Sequence, residues 1–262
     1  KTPSGMKHPL RTLLLAVCCG LAAACTQRQE RLKLMSYNIR NGIGIDNIQD
    51  IGRIARVILR EAPDLVALQE LDSATLRVDG RYIPGELGRM TGMHATFGRA
   101  IGFAGGSYGI GLLSRTEPLA VRSIPLPGRE EARVLLMAEF PDYTVCITHL
   151  SLTPEDRLAS LPIIREATDT CRKPVLLAGD FNTGNAAAVL AGLGGGFRIL
   201  SDTTRMTFPS DNPAVRIDYI LGRGLPTSAT VAESAVDHTA TASDHCPLWV
   251  TLVWKRGKQP GK

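Results

Sequence analysis

The sequence is poor in aromatic residues and has no apolar run long enough to cross a bilayer as a mature helix. Phenylalanine, tryptophan and tyrosine together make up 5% of the 262 residues, and no cluster of lysine and arginine lies beside a candidate catalytic motif. A basic, aromatic-lined groove for single-stranded nucleic acid is therefore not indicated. The net charge of +5 favours anionic partners in general, but it is too small to indicate nucleic acid by itself.

Patterns for zinc, disulfides and nucleoside triphosphates are also missing. None of the six cysteines has C-x-x-C spacing. The glycine-rich segment 102–109 lacks the Lys-Ser/Thr of a P-loop, so we expect it to form a loop with tight turns. Three cysteines lie near the N-terminus, and the other three cannot all pair, so we expect Cys146, Cys171 and Cys246 to be small apolar side chains in the core.

The first 25 residues predict an export signal. Lys7 and Arg11 precede a short apolar core, 13–21, and the small residues 22–24 lead to Cys25. This pattern resembles a bacterial lipoprotein signal with lipidation at Cys25. Because Ala22 stands where such signals usually have leucine, cleavage by ordinary signal peptidase is the alternative. We therefore expect an exported protein, anchored to the cell envelope through Cys25 or released as a periplasmic or secreted protein.

The rest of the chain predicts one α/β domain, 32–254, between a short linker, 26–31, and a basic disordered tail, 255–262. Apolar periodicity predicts helices near 51–59, 83–90 and 154–165. Short gaps favour antiparallel pairing of three successive strands, 119–125, 132–140 and 143–150. Further strands are predicted at 32–39, 64–70, 93–100, 173–178, 216–221 and 248–253.

Polar residues recur where the predicted strands end. Each has an ordinary alternative: Asn38 as a turn former, Glu70 as a solvated strand edge, His149 as a structural histidine and Asp244 as a helix cap. Asp180 and Asn182 follow a buried strand and can point the same way, one as base or ligand and the other as hydrogen-bond donor. A buried Asp218 needs a partner, for which an active-site histidine is the natural candidate. The full set is Asn38, Glu70, His149, Asp180, Asn182, Asp218, Asp244 and His245.

The order of these motifs resembles the endonuclease/exonuclease/phosphatase superfamily. This superfamily includes pancreatic deoxyribonuclease, apurinic/apyrimidinic endonucleases, inositol polyphosphate 5-phosphatases and bacterial sphingomyelinases. The resemblance covers roughly Leu32 to Trp254 and is carried by SYNIRNG, LQE, THL, GDFN, IDYI and SDHCPL. It implies a four-layer sandwich, in which two mixed β-sheets pack face to face with helices on the outside.

The resemblance implies a metal site. Glu70 would bind Mg²⁺ or Mn²⁺ with Asn38 and Asp244 close by, and oxygen ligands of this kind suit hard cations. Arg40 stands where the abasic-site enzymes carry an acid near the metal. This departure argues against a role in DNA repair.

The resemblance also implies catalytic roles. His245 corresponds to the essential histidine, oriented by Asp218. Asp180 would orient or deprotonate the attacking water, Asn182 would steady the phosphate, and His149 corresponds to a second histidine of the deoxyribonuclease and sphingomyelinase branches. For Tyr108 and Arg133, core packing or a surface salt bridge is preferred to substrate contact, and no role is implied for either.

The sequence thus predicts a monomeric, exported, metal-dependent phosphoesterase. Its substrate would be a phosphodiester or phosphomonoester of a lipid headgroup, sugar phosphate or nucleotide. A secreted nuclease acting on DNA or RNA is the alternative. A non-catalytic binding module is less favoured, because every motif residue is present.

Overall fold

Twelve strands and four α-helices make up the part of the chain that the computed structural model describes, residues 29–255. The helices are α1 (Ile51–Glu61), α2 (Ile83–Thr91), α3 (Pro154–Asp169) and α4 (Ala186–Leu193). The strands are β1 (Gln29–Asn38), β2 (Leu65–Ser73), β3 (His94–Phe103), β4 (Gly106–Ser114), β5 (Ala120–Leu126), β6 (Arg133–Glu139), β7 (Thr144–His149), β8 (Val175–Asp180), β9 (Arg198–Ile199), β10 (Asp218–Arg223), β11 (Thr230–Val236) and β12 (Leu248–Lys255).

The strands form two mixed sheets of six strands each. One sheet has the order β11-β12-β1-β2-β4-β3 and the other β5-β6-β7-β8-β10-β9. Each has a single parallel pair, β1 with β2 and β7 with β8, and the remaining neighbours are antiparallel. The predicted antiparallel run of β5, β6 and β7 is confirmed.

The central strands are buried on both faces, which explains their nearly continuous apolar sequences. In β1, Leu34 belongs to the core between the two sheets, whereas Met35 packs with α1 and α2 on the outer face. In β8, Ala178 faces the other sheet and Leu177 packs with α3 and α4. The result is the four-layer sandwich that the sequence predicted.

Several predicted boundaries change. β1 begins at Gln29, so residues 29–31 of the predicted linker are strand. β2 continues through Ser73, beyond its predicted end at Glu70, and most of the predicted glycine-rich loop is a hairpin between β3 and β4. Lys255 is the last residue of β12, whereas the predicted signal, Cys25 and residues 256–262 of the predicted tail lie outside the described residues.

The remaining features concern cysteines and membrane spans. Cys146 and Cys246 are buried and Cys171 is half-buried, and all three are free thiols. Within residues 29–255, none of the helices combines the length and apolar character that a bilayer span requires.

Candidate active site

The predicted site residues meet at one edge of the two sheets. Asn38 ends β1, and His149 and Asp180 end the parallel strands β7 and β8, where they lie side by side. Asp218 begins β10, which runs antiparallel to β8, so it pairs with Asp180 at this same edge. The loop that enters β12 brings Asp244 and His245 to this edge, because β12 is antiparallel to β1. The topology therefore gathers residues that are far apart in the sequence.

Asn38 connects the two sheets. Its side-chain Nδ2 donates to Glu70 Oε1 at 2.9 Å and to Asp180 Oδ2 at 3.1 Å, and it lies 3.4 Å from His245 Nε2. Its Oδ1 accepts from the backbone N–H of Arg40 at 3.1 Å. The Asn38 side chain is fully buried, so it is part of the frame of the site while its bond to Arg40 also forms the turn.

His245 and Asp218 form a buried pair. Asp218 Oδ2 lies 3.0 Å from His245 Nδ1, and a carboxylate can only accept, so Nδ1 carries a proton. Burial alone would lower the pKa of His245, but the charge and hydrogen bond of Asp218 outweigh burial and raise this pKa to about 10. His245 is therefore an imidazolium at neutral pH, and Asp218 has the partner that its burial requires.

Asp180 is held between the two histidines. Its Oδ2 lies 3.6 Å from His245 Nε2 and 3.5 Å from His149 Nε2. Burial, followed by the neighbouring charge of Asp218, raises the pKa of Asp180 to about 7. A carboxylate with this pKa can exchange a proton close to neutral pH.

Asn182 fixes the position of Asp180. Its backbone N–H donates to Asp180 Oδ1 at 2.8 Å, and its Nδ2 donates to the backbone oxygen of Leu150 at 2.8 Å. The residue has φ +50°, a left-handed conformation that asparagine tolerates better than most residues. In this structure the amide group therefore orders the loop around Asp180.

The residue before Asp180, Gly179, has no room for a side chain. A Cβ at this position would lie 2.0 Å from the backbone oxygen of Thr148 on the parallel neighbour β7. Only glycine allows the two strands to approach this closely. The glycine therefore keeps His149 and Asp180 together at the ends of their strands.

Glu70 lies on a β-bulge within β2, whereas the sequence predicted it at the end of the strand. Gln69 and Glu70 together oppose Ile110 of β4, because the pairing passes from Leu68 with Gly111 to Leu71 with Gly109. Glu70 has φ +58°, and a left-handed residue other than glycine costs about 1–3 kcal/mol. A bulge re-aims a side chain, which here brings the Glu70 carboxylate to Asn38.

Asp244 is half-exposed beside these groups, and its Oδ2 lies 3.5 Å from Arg40 Nε. The carboxylates of Glu70 and Asp244 lie at the same edge as Asn38, and carboxylate oxygens are ligands that fit a hard divalent cation. A second group, Asp180, Asp218 and His245, has ligand atoms within 4.8 Å of one another. In that group Asp218 holds the proton on His245 Nδ1, and His245 would have to lose the proton on Nε2 before that nitrogen could bind a cation.

His149 has a different partner from His245. Its Nδ1 lies 3.2 Å from Nη1 of Arg133, and burial, followed by the charge of Arg133, lowers the pKa of His149 well below its ordinary value. The expectation of core packing or a salt bridge holds for Arg133, with the difference that its pairing lies inside the protein and includes a histidine of the site. Its side chain is buried, and it contacts both a catalytic-site histidine and the carboxylate of Glu131. The other residue in that expectation, Tyr108, does lie in the core.

Comparison with known proteins identifies the group to which the chain is similar. Residues 35–245 match the model of the Endonuclease/Exonuclease/phosphatase family. No curated protein sequence shows significant similarity to the chain. Among solved structures, an endonuclease/exonuclease/phosphatase from Beutenbergia cavernae is 23% identical with a TM-score of 0.69, over 86% of this chain and 72% of that one.

Two further structures have more specific descriptions. A Bacteroides thetaiotaomicron mannosyl-6-phosphatase is 19% identical with a TM-score of 0.68, over 85% of this chain and 100% of that one. TDP2 from D. rerio, complexed with a single-strand DNA product, is 22% identical with a TM-score of 0.64, over 85% and 98%. At these identities the solved structures establish the fold. Because the family model matches most of the chain, the protein belongs to the endonuclease/exonuclease/phosphatase family of metal-dependent phosphoester hydrolases.

Proposed function

We propose that the protein is an exported, Mg²⁺- or Mn²⁺-dependent phosphoesterase that hydrolyses a phosphodiester or a phosphomonoester by in-line attack of water. One observation carries the proposal: a carboxylate with a pKa of about 7, Asp180, lies 3.6 Å from the imidazolium His245 and is joined through Asn38 to Glu70. A base for water, a fixed positive charge and oxygen ligands for a cation are the groups that hydrolysis of an anionic phosphoester requires.

Asn38, Glu70 and Asp244 would hold the cation. When bound, the ion would polarise a phosphoryl oxygen and neutralise the negative charge that develops on it. The hydrogen bond between Asn38 and Glu70 orients both side chains before an ion binds. Such orientation by neighbouring polar groups raises the affinity of a metal site.

Asp180 acts as the base. The backbone N–H of Asn182 donates to its Oδ1, whereas Oδ2 accepts from Asn38, faces Nε2 of both histidines and would accept the proton of the attacking water. A base with a pKa close to the working pH is ionised often enough to act and is still basic enough to take the proton. His245 holds its positive charge through Asp218 and stabilises the phosphoryl oxygens as charge develops.

The substrates proposed are small phosphoesters: a lipid headgroup, a sugar phosphate or a nucleotide. The mannosyl-6-phosphatase among the structural neighbours supports a sugar phosphate. The neighbour solved with a DNA product makes a nuclease the alternative to test. Export rests on residues 1–25, and attachment to the membrane on lipidation of Cys25, which labelling with a radioactive fatty acid tests against C25S.

The experiment compares four substrates with Mg²⁺ or Mn²⁺: bis(p-nitrophenyl) phosphate, p-nitrophenyl phosphate, sphingomyelin and supercoiled plasmid. EDTA and H245A are expected to abolish turnover. H238A is the matched control, because His238 is an exposed histidine whose Nε2 lies 2.9 Å from the backbone oxygen of Met206. Turnover of a small or lipid phosphoester with intact plasmid supports the proposal. Plasmid nicking that both EDTA and H245A abolish would favour the nuclease, and full activity in EDTA would refute the metal-dependent mechanism.

A further inference from the structure

The two histidines of the site have Nδ1 partners of opposite charge. His245 donates from Nδ1 to the carboxylate of Asp218 at 3.0 Å, whereas Nδ1 of His149 faces Nη1 of Arg133 at 3.2 Å. Both rings present Nε2 to the same atom, Asp180 Oδ2, at 3.6 and 3.5 Å. The site therefore contains two similar rings in opposite electrostatic surroundings.

The contact with Arg133 fixes the proton of His149. A guanidinium has five N–H donors and no acceptor, so Nδ1 must offer its lone pair and cannot carry a proton. The proton of the neutral ring must then be on Nε2, the nitrogen that faces Asp180. A second proton on Nδ1 would remove the hydrogen bond and place two positive charges in contact.

The protein holds Arg133 firmly in this place. Nη1 also donates to Glu131 at 2.9 Å, and Nη2 lies 3.4 Å from Glu130, whose carboxylate in turn accepts from Ser151 Oγ at 2.7 Å. The backbone N–H of Leu152 donates to Glu130 as well, at 2.7 Å. Glu130 thus connects the arginine to the loop that follows His149, and the buried guanidinium is ordered from two sides.

Other ionisable groups around His149 come from several elements. Arg133 lies on β6, Glu130 and Glu131 precede it, Asp180 ends β8, His245 precedes β12, and Tyr108 on β4 lines the same small cavity. No carboxylate of the described residues contacts Nδ1 of His149. The counter-charges of Glu130 and Glu131 are directed to Arg133.

We propose that Arg133 is a positioning residue that keeps His149 neutral with its proton on Nε2, so that His149 acts as a hydrogen-bond donor to a phosphoryl oxygen and not as an acid that protonates the leaving group. The contact with substrate rests on the proposed function, whereas the protonation state of His149 does not. The two histidines would then have different roles: His245 supplies a positive charge, and His149 supplies an N–H directed at the phosphoryl oxygen.

Nuclear magnetic resonance of the ¹⁵N-labelled full chain without metal tests the protonation state directly. Long-range ¹H–¹⁵N spectra distinguish protonated from unprotonated ring nitrogens, and loss of signals in H149Q assigns His149. We expect Nε2 of His149 to be protonated and Nδ1 to be unprotonated throughout pH 6–9. In R133M we expect the pKa of the ring to rise, because the charge of Arg133 is removed while burial remains, whereas R129M, which removes an exposed arginine that pairs with Asp156, leaves it unchanged. A proton on Nδ1 of the wild-type ring would overturn the proposal.

Kinetics test the role of the N–H. Glutamine can place an amide donor near the position of Nε2, so H149Q is expected to keep kcat within about 10-fold of wild type, while H149A loses about 10²–10³-fold, the effect of removing one transition-state donor. An essential acid at this position would make the two variants equally inactive, which would refute the donor role. If no substrate is turned over, the proposed function fails while the resonance result still decides the protonation state.

Discussion

Replacing Asp218 with asparagine is expected to remove the charge of His245 while preserving the shape of the site. The rise in the pKa of His245 from 6.5 to about 10, at about 1.4 kcal/mol for each pKa unit, corresponds to on the order of 5 kcal/mol. Coulomb's law for the 3.0 Å contact, with an effective dielectric constant of about 20, gives a similar figure of about 5.5 kcal/mol. In D218N the pKa of His245 should therefore fall, because burial is then opposed only by the charges of Asp180 and Asp244.

The pH dependence of activity in wild type and D218N shows whether catalysis depends on the positive charge of His245. Wild-type kcat/KM on bis(p-nitrophenyl) phosphate should be lost on the alkaline side only near pH 10. In D218N this loss should begin at a lower pH, and where the ring has become neutral the rate should be about 10²–10³-fold lower. An alkaline limb at the same pH in both proteins would refute the assignment of His245 as the cationic group.

Stability provides a second measurement on the same pair. A folded-state pKa that is raised above the unfolded value stabilises the protein fully below pH 6.5, and this contribution is lost as pH rises to about 10. The difference in free energy of unfolding between wild type and D218N should therefore shrink between pH 6.5 and 10. A difference that stays constant over this range would show that His245 does not titrate with the pair.

Three further predictions concern the frame of the site. G179A should lower the free energy of unfolding by about 1–3 kcal/mol, because its Cβ would meet the oxygen of Thr148, whereas thermal unfolding of G184A, whose Cβ would make an ordinary contact of 3.6 Å with the backbone oxygen of Arg216, should change little. E70Q should raise the Mg²⁺ concentration needed for half-maximal activity by at least about 10-fold, measured by titration of metal into the EDTA-treated enzyme. Burial alone would raise the pKa of Glu130, but hydrogen bonds from 151–153 lower it to about 2. The stability advantage of wild type over E130Q should thus be present above pH 4.5 and disappear as pH falls toward 2, as denaturant titrations at pH 7 and 3 would show.

The sequence predicted those parts of the site that depend on local motifs. GDFN and SDHCPL place their polar residues at strand ends, and a buried Asp218 required a partner that could be inferred from charge alone. Arg133 could not be found in this way, since its contact with His149 depends on the register of β6 on β7. The pairing of Leu135 with Thr148 brings Arg133 next to the end of β7, and a shift by one residue would turn its side chain to the other face.

The fold class was also predictable, because buried strands and amphipathic helices leave strong patterns. Four elements were missed: α4, whose alanine-rich sequence has little polar contrast, β4, whose glycine-rich start was interpreted as a loop, the two-residue β9, and β11, an edge strand with mostly exposed residues. The bulge at Glu70 was missed because the apolar run of β2 continues past it. Such irregular positions depend on tertiary contacts, and here they are the positions that aim functional side chains.

The direction of β1 has a consequence for how the enzyme would meet its substrate. This ten-residue strand starts at Gln29 and ends at Asn38. At about 3.3 Å per residue, the sheet edge that carries the candidate active site, here called the catalytic edge, lies about 30 Å from the start of the strand. A tether through Cys25, only four residues before Gln29, would hold the protein by the end opposite its catalytic edge. In an enzyme attached in this way the site would face away from its own bilayer, toward phosphoesters that diffuse through the surrounding compartment.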